Sequence, residues 1–211
     1  ANISKLKDIR FSDLVDDARL TIEKFKSDSR FRSLHVIGHS QGSLVGMLSL
    51  GSKVKTYVSL AGPGVPIDKK IVEQISAQRP ELGEIAGQHF AELQETDTIA
   101  SINPMLFQVF APQNQQFLKN YAALDPAVEI SKVMVPTLII NGESDIQISP
   151  EDAQLLHAAL PGSRLEIIPK LNHVLKEVNS LAENQQAYMK PDVPLSPALL
   201  SAITKFITEN Q

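Results

Sequence analysis

The feature that most constrains this chain is a short apolar run that leads directly into a glycine-flanked serine. Residues 34–42 are Leu-His-Val-Ile-Gly-His-Ser-Gln-Gly, and a helix-prone segment follows. This order predicts a strand, a tight turn with Ser40 at its apex, and a helix. Glycine is expected at both Gly38 and Gly42 because a side chain at either position would crowd the strand or the helix. Ser40 would lie at a helix N-terminus, where free N–H groups and the dipole favour negative charge.

The composition excludes several broad functions. The chain has 211 residues, of which 43% are hydrophobic and 21% charged, with a formal net charge of −4. It has no basic stripe of the kind that binds nucleic acid, and no apolar run long enough to span a bilayer. It has no cysteine, so disulfides and thiolate metal sites are excluded, while the cellular compartment stays open.

The order of predicted elements is typical of an α/β protein with a mostly parallel sheet flanked by helices. Strands are predicted at residues 33–37, 56–60, 133–141 and 165–168. Helices are predicted at residues 13–27 after an N-cap at Ser12, at residues 44–50, from Pro150 to about residue 160 after Ser149, and after Ser196-Pro197. A loop and a polar stretch at residues 183–194 separate the last predicted strand from the closing helix.

Residues 66–125 have a different pattern. Their apolar residues recur at helical spacing, prolines divide them into short pieces, and no convincing strand is present. We expect residues 1–65 and 126–211 to form the core and residues 66–125 to form a helical cap inserted between strands. The apolar run that contains Met105, Phe107 and Phe110 either lines a substrate pocket or faces the interior of the cap.

Ser40 becomes a nucleophile only if a neighbouring base takes its proton and an acid orients that base. Such partners are expected on loops that follow later strands, in the order serine, acid, histidine. Asp145 follows the strand at residues 133–141, and His173 follows the last strand. Glu143 is a rival to Asp145 in the same loop, whereas Asp125 precedes its strand and would lie at the wrong end.

The other four histidines have simpler interpretations. His35 is expected to pack in the core from its strand, and His39 to support the turn rather than take part in chemistry. His89 could line a pocket in the helical insertion, but a surface position is expected. His157 is expected to be partly exposed on an amphipathic helix.

Three motifs in this order resemble the α/β-hydrolase superfamily. Residues 38–42 match its nucleophile elbow, residues 136–148 match its acid-bearing strand and turn, and Asn172-His173 match its histidine loop. The most similar subgroup is the bacterial esterase, monoacylglycerol-lipase and serine-aminopeptidase-like set, which carries a helical cap. The resemblance implies a catalytic triad of Ser40, Asp145 and His173, with the N–H of Gln41 in the oxyanion hole.

The implied reaction is the hydrolysis of a carboxylic ester through an acyl-enzyme on Ser40, with a small-molecule acyl substrate and no metal or organic cofactor. The same triad would also serve a peptidase, an amidase or a thioesterase. A third possibility, of a different class, is an impaired fragment that acts as a non-enzymatic module.

The chain also departs from the family pattern. The family sheet begins with strands that precede the helix before the elbow, and a loop among them supplies the second oxyanion donor. Residues 1–32 contain neither those strands nor that loop. We therefore expect the C-terminal portion of a longer hydrolase, whose strand at residues 33–37 is an open sheet edge. Self-association through that edge, or pairing with a missing N-terminal segment, is expected.

Overall fold

A computed structural model describes residues 9–211 and contains one sheet of four parallel strands. The spatial order follows the chain, β1-β2-β3-β4. The strands are β1 (Leu34–His39), β2 (Val54–Leu60), β3 (Thr137–Gly142) and β4 (Arg164–Ile168). The predicted α/β class with a parallel sheet is confirmed. Within the described residues β1 and β4 are the outer strands, so β1 pairs along one side only.

The described part of the chain contains ten α-helices. They are α1 (Phe11–Lys26), α2 (Gln41–Ser49), α3 (Ile67–Gln78), α4 (Pro80–Thr96), α5 (Phe107–Phe110), α6 (Pro112–Ala122), α7 (Pro126–Ile130), α8 (Pro150–Ala159), α9 (Leu181–Ala187) and α10 (Pro197–Glu209), with a 3-10 turn at Pro104–Leu106. Between residues 9 and 211, no helix has both the length and the apolarity that a membrane crossing requires.

The helix starts test the capping predictions. Ser149 and Asp152 form a reciprocal capping box at α8, and Ser196 Oγ accepts the N–H of Leu199 at α10, as the sequence predicts. Ser12 is not an N-cap, because α1 already begins at Phe11. The short helix α9 overlaps the first part of the polar stretch at residues 183–194, for which no helix was predicted.

The described residues form two compact units. The sheet unit comprises Asp17–Gly64 and Pro126–Gln211, and the helical unit comprises Val65–Asp125 with the described residues up to Asp16. The assignment of residues 66–125 as a cap stays a prediction. The part of the predicted core that falls on residues 1–8 lies outside the described residues.

The sheet unit is organised by its two central strands. Every residue of β3 is buried, as is every residue of β2 except Lys55. A strand that is buried on both faces has a continuous run of apolar residues, which explains the sequence of residues 137–140. Leu199 and Phe206 of α10 pack with the strand residues Val58, Leu60, Leu138, Ile140 and Ile168.

The helical unit has its own apolar core. Phe110 is completely buried there, with its ring 4.9 Å from the ring of Phe90 and 5.1 Å from that of His89. Of the two alternatives for Phe110, this burial favours the interior of the helical unit over the lining of a substrate pocket, because the side chain is used in packing. Met105 and Phe107 are exposed, at 60% and 52%. Met105 lines an open cavity of about 390 Å³ with Leu82 and Val109, among others.

Candidate active site

Ser40 lies at a strained turn between β1 and α2. Its backbone angles are φ 54° and ψ −124°, in a region that non-glycine residues rarely occupy. Two hydrogen bonds hold the turn: Ser40 N–H donates to Leu60 O at 2.9 Å, and Ser43 N–H donates to Ser40 O at 2.9 Å. The strand–turn–helix geometry thus presents the Ser40 side chain at the C-terminal end of β1.

The two glycines of the elbow have different roles. A Cβ on Gly38 would overlap the carbonyl oxygen of Gly42, so only glycine fits at residue 38. A Cβ on Gly42 would meet nothing within 4 Å. The prediction that a side chain at either position crowds the turn is therefore correct for Gly38 and wrong for Gly42, whose Cβ direction is open.

A buried hydroxyl cluster fixes the first turn of α2 to β2. Ser43 Oγ lies 2.9 Å from Tyr57 Oη and 2.7 Å from Ser59 Oγ, and Tyr57 Oη also donates to Ser43 O at 2.6 Å. Burial raises the pKa of Tyr57 well above its usual value, so its hydroxyl remains a neutral donor. A Cβ on Gly62 would collide with this cluster. These contacts hold the helix start that follows Ser40.

Asp145 is placed by the backbone of its own loop. Its Oδ1 accepts the N–H groups of Gln147 at 2.8 Å and of Ile148 at 2.9 Å. Its Oδ2 lies 2.8 Å from His173 Nδ1. The rival carboxylate, Glu143, is exposed. Of the two carboxylates in this loop, the structure therefore brings Asp145 to the histidine.

His173 lies between Asp145 and Ser40. It is 5% exposed, and its Nε2 is 3.1 Å from Ser40 Oγ. Because a carboxylate oxygen only accepts, Nδ1 carries the proton that is donated to Asp145. In the neutral ring Nε2 then has a free lone pair directed at the Ser40 hydroxyl. The three predicted residues are thus brought together with the donor–acceptor order that proton removal from Ser40 requires.

The loops that carry Asp145 and His173 are in direct backbone contact. Ser144 N–H donates to Leu171 O at 3.0 Å, and a Cβ on Gly142 would overlap that same carbonyl. Lys170 and Leu175 have positive φ angles, 61° and 64°, on either side of His173. Such strain persists only where surrounding contacts over-determine the backbone. The base-bearing loop is therefore a closely fitted part of the sheet unit.

His39 links the elbow to this loop. Its Nε2–H donates to the backbone carbonyl of His173 at 2.8 Å, and the two rings are 5.0 Å apart. The residue keeps an exposed side, and partial desolvation of its ring lowers the pKa of His39, which favours the neutral ring. The expectation that His39 supports the structure rather than the chemistry agrees with this contact. Its partner, however, is the base-bearing loop rather than the turn alone.

The remaining histidines lie in structural settings. His35 is partly rather than fully buried and bonds to the hydroxyls of Thr56 and Ser33. His157 is partly exposed, as predicted. His89 is only 7% exposed, so the expected surface position is wrong. Its spacing from Leu82, Ala86 and Leu93 on α4 would have indicated the buried face.

The remaining predicted site residue is Gln41. It is the first residue of α2, so its N–H lacks an intrahelical acceptor, which suits an oxyanion donor. Sequence reasoning missed the buried Asn184, which lies between the acid and base loops. An open cavity of about 580 Å³ beside Asp145 is lined by Glu143, Lys170, Asn184 and neighbouring residues. The described part of the chain contains no group of three or more side chains suited to hold a metal ion.

The parallel sheet, with its strained serine after β1 and its polar loops after β3 and β4, defines the α/β-hydrolase class. The family model described as serine aminopeptidase, S33, matches residues 8–177, and the chain therefore belongs to this hydrolase family. No curated protein sequence gives a significant match.

Solved structures of the same fold carry different names. An esterase from Pyrococcus furiosus is 14% identical with a TM-score of 0.56, covering 93% of this chain and 61% of its own length. An esterase from Exiguobacterium antarcticum is 17% identical with a TM-score of 0.52, and the match covers 92% of this chain and 74% of that esterase. A bromoperoxidase from Bacillus anthracis is 15% identical with a TM-score of 0.51, and the match covers 85% of this chain and 73% of that bromoperoxidase. At these identities the likeness shows the fold alone.

Proposed function

We propose that the protein is a serine hydrolase that cleaves a carboxylic ester through an acyl-enzyme on Ser40. The observation that carries the proposal is the chain of contacts from Ser40 Oγ to His173 Nε2 at 3.1 Å and from His173 Nδ1 to Asp145 Oδ2 at 2.8 Å. Distances in this range allow direct proton transfer. Two solved structures that share the fold are named esterases, which makes an ester the first substrate to test.

The reaction would proceed in two stages. Ser40 Oγ attacks the acyl carbon while its proton passes to His173 Nε2, and the N–H of Gln41 donates to the oxyanion. His173 then gives that proton to the departing alkoxide, which leaves as the alcohol. Water attacks the acyl-enzyme, its proton passes through His173 back to Ser40 Oγ, and the free acid is released. Asp145 stabilises the charged imidazole in both stages.

A second candidate is the cleavage of an amide bond at the N-terminus of a peptide. The observation that favours it is the family description, serine aminopeptidase. The same residues would perform the same steps, with an amine in place of the alcohol as the leaving group. An amine leaves only after it is protonated, so this reaction would depend more strongly on proton donation by His173.

The test compares two substrate sets on the same chain. The wild-type protein is assayed with short-chain nitrophenyl esters and with amino-acid nitroanilides, alongside Ser40→Ala and the control Ser49→Ala. Ser49 is a buried serine at the end of α2 that bonds Gly46 O. The ester proposal expects ester turnover that Ser40→Ala abolishes and Ser49→Ala retains.

Each alternative result has a distinct meaning. Efficient nitroanilide turnover with little ester turnover would replace the ester proposal with the peptidase candidate. If a folded wild-type protein turns over neither set, the active-enzyme proposal fails, and a non-enzymatic module becomes the better account of this chain.

A further inference from the structure

Asn184 is a buried amide in a helix whose surface is otherwise mostly exposed. Its residue is 2% exposed, whereas the neighbouring residues Glu183 and Gln185 of α9 are exposed. Burial of an amide is costly unless its polar atoms find partners. Asn184 Nδ2 donates to Ser144 O at 2.6 Å, and Asn184 Oδ1 accepts from Asn172 Nδ2 at 3.1 Å. Because the Ser144 carbonyl can only accept, this orientation of the amide is fixed.

The partner Asn172 is itself part of the base-bearing loop. It is 1% exposed, its Oδ1 accepts the N–H of Lys176 at 2.9 Å, and its own N–H donates to Lys176 O at 3.0 Å. These bonds close residues 172–176 into a tight loop around His173. The Lys176 ammonium also donates to Ala187 O and Lys190 O, near the end of α9. The loop and the α9 region are thus tied together at two points.

The two hydrogen bonds of Asn184, to Ser144 and to Asn172, form a bridge that ends next to both functional side chains in sequence. Ser144 immediately precedes Asp145, and Asn172 immediately precedes His173. Two backbone bonds join the same loops: Glu143 N–H donates to Ile168 O, and Ser144 N–H donates to Leu171 O. Both end further from His173 in sequence than Asn172 does. Among these attachments, the Asn184 bridge reaches the residues adjacent in sequence to both functional side chains.

We propose that Asn184 is a positioning residue that sets the geometry of the Asp145–His173 pair, an inference that rests on the proposed function. Asn184 does not touch the reacting atoms; it acts through the two loops that it joins. A displacement of about 1 Å in such a pair can reduce a rate by about 100-fold. Supporting side chains of this kind are what hold a site within its productive geometry.

The test uses two variants of Asn184 and one matched control. Asn184→Leu removes both bridge bonds. Asn184→Asp retains an oxygen for Asn172 but places a carboxylate oxygen against the Ser144 carbonyl. The control is Gln115→Leu in the helical unit, since Gln115 is also buried, donates to Phe110 O at 3.0 Å and accepts the N–H of Ile99 at 3.2 Å.

Three quantities are measured for each protein: thermal stability, the rate of Ser40 labelling by a fluorophosphonate across a pH series, and the NMR resonance of the His173 Nδ1 proton. We expect all three variants to lose stability. Only the Asn184 variants should slow labelling, by about 10-fold to 100-fold, alter its pH profile and shift or broaden the His173 resonance.

The outcomes separate this inference from the proposed function. If Asn184→Leu fails to fold, the near-isosteric Asn184→Asp supplies the same comparison. Unchanged labelling and an unchanged His173 resonance in a folded Asn184 variant, or equal changes in Gln115→Leu, would overturn the positioning role. If the wild-type chain is not labelled but its His173 resonance depends on Asn184, the positioning role stands while the serine hydrolase proposal fails.

Discussion

His173 in the sheet unit and His89 in the helical unit are buried to almost the same extent, 5% and 7% exposed. Their partners differ in kind. His173 donates to the Asp145 carboxylate and faces a hydroxyl, whereas His89 Nε2 accepts the backbone N–H of Asn103 and its ring lies edge-on to Phe110. A histidine that moves a proton needs an acceptor on one nitrogen and a proton source on the other. Burial alone therefore does not distinguish a candidate base from a packed histidine.

The largest effect should come from removing the candidate base. His173→Gln eliminates the proton acceptor for Ser40, so ester turnover should fall by at least about 10⁴-fold. His89→Gln is the matched variant in the other unit and should retain most activity, because glutamine can still accept the Asn103 N–H. Steady-state kinetics with a nitrophenyl ester would measure both. Equal losses in the two variants would remove the distinction between the histidines.

The next effect concerns the tautomer of His173. In Asp145→Asn, the amide can present N–H donors to Nδ1 and so favour the tautomer with its proton on Nε2, which cannot take the Ser40 proton. Turnover should fall by about 10⁴-fold with little change in fold, as for the equivalent change in serine proteases. The measurement is kcat with a circular dichroism spectrum of each protein. Near-normal kcat would show that Asp145 does not orient the base.

A third prediction tests the close fit between the loops that carry Asp145 and His173. Gly142→Ala would force a Cβ into the Leu171 carbonyl, which is backbone and cannot rotate away. We expect a loss of about 1–3 kcal/mol in the free energy of unfolding, together with reduced activity. Gly162→Ala, where an added Cβ meets nothing within 4 Å, is the control and should lie within about 0.5 kcal/mol of wild type. Denaturant titration distinguishes the two, and equal stabilities would contradict the close fit of the loops.

A fourth prediction tests the structural role of His89. His89→Leu leaves the Asn103 N–H without its acceptor, which should cost about 1–3 kcal/mol of stability. His89→Gln should recover part of that loss. Thermal unfolding measures the difference, with ester turnover below the transition as the second readout. A His89→Leu protein that is as stable as wild type but inactive would make His89 a functional residue.

The smallest effect is an acid dependence from His35, which is partly buried. Burial lowers the pKa of His35 below the usual value of 6.5, so this side chain binds a proton more readily in the unfolded chain than in the folded protein. Its contribution to stability is present above pH 6.5 and is lost as the pH falls through the lowered value. Denaturation of wild type and His35→Gln across this range should show a weaker acid loss in the variant. A stronger loss would reverse the assigned direction.

The candidate site residues could be predicted from the sequence because each lies directly after a predicted strand or in the loop that follows one. Ser40, Asp145 and His173 each follow a strand, and a parallel sheet brings such strand ends together, so their meeting could be anticipated. Their supports could not, since Asn184 lies in a short helix without apolar periodicity and its partners are 12 and 40 residues away. The position of Phe110 stayed open between two alternatives, because an apolar run has the same sequence pattern whether it lines a pocket or packs in a core.

Covalent labelling of the folded chain with a fluorophosphonate, followed by peptide mass spectrometry, tests the central claim most directly. The arrangement of Ser40, His173 and Asp145 predicts one adduct, located on Ser40, which is lost in Ser40→Ala and strongly slowed in His173→Gln. A folded wild-type protein without an adduct, or with one that persists in Ser40→Ala, would contradict the claim that His173 activates this serine.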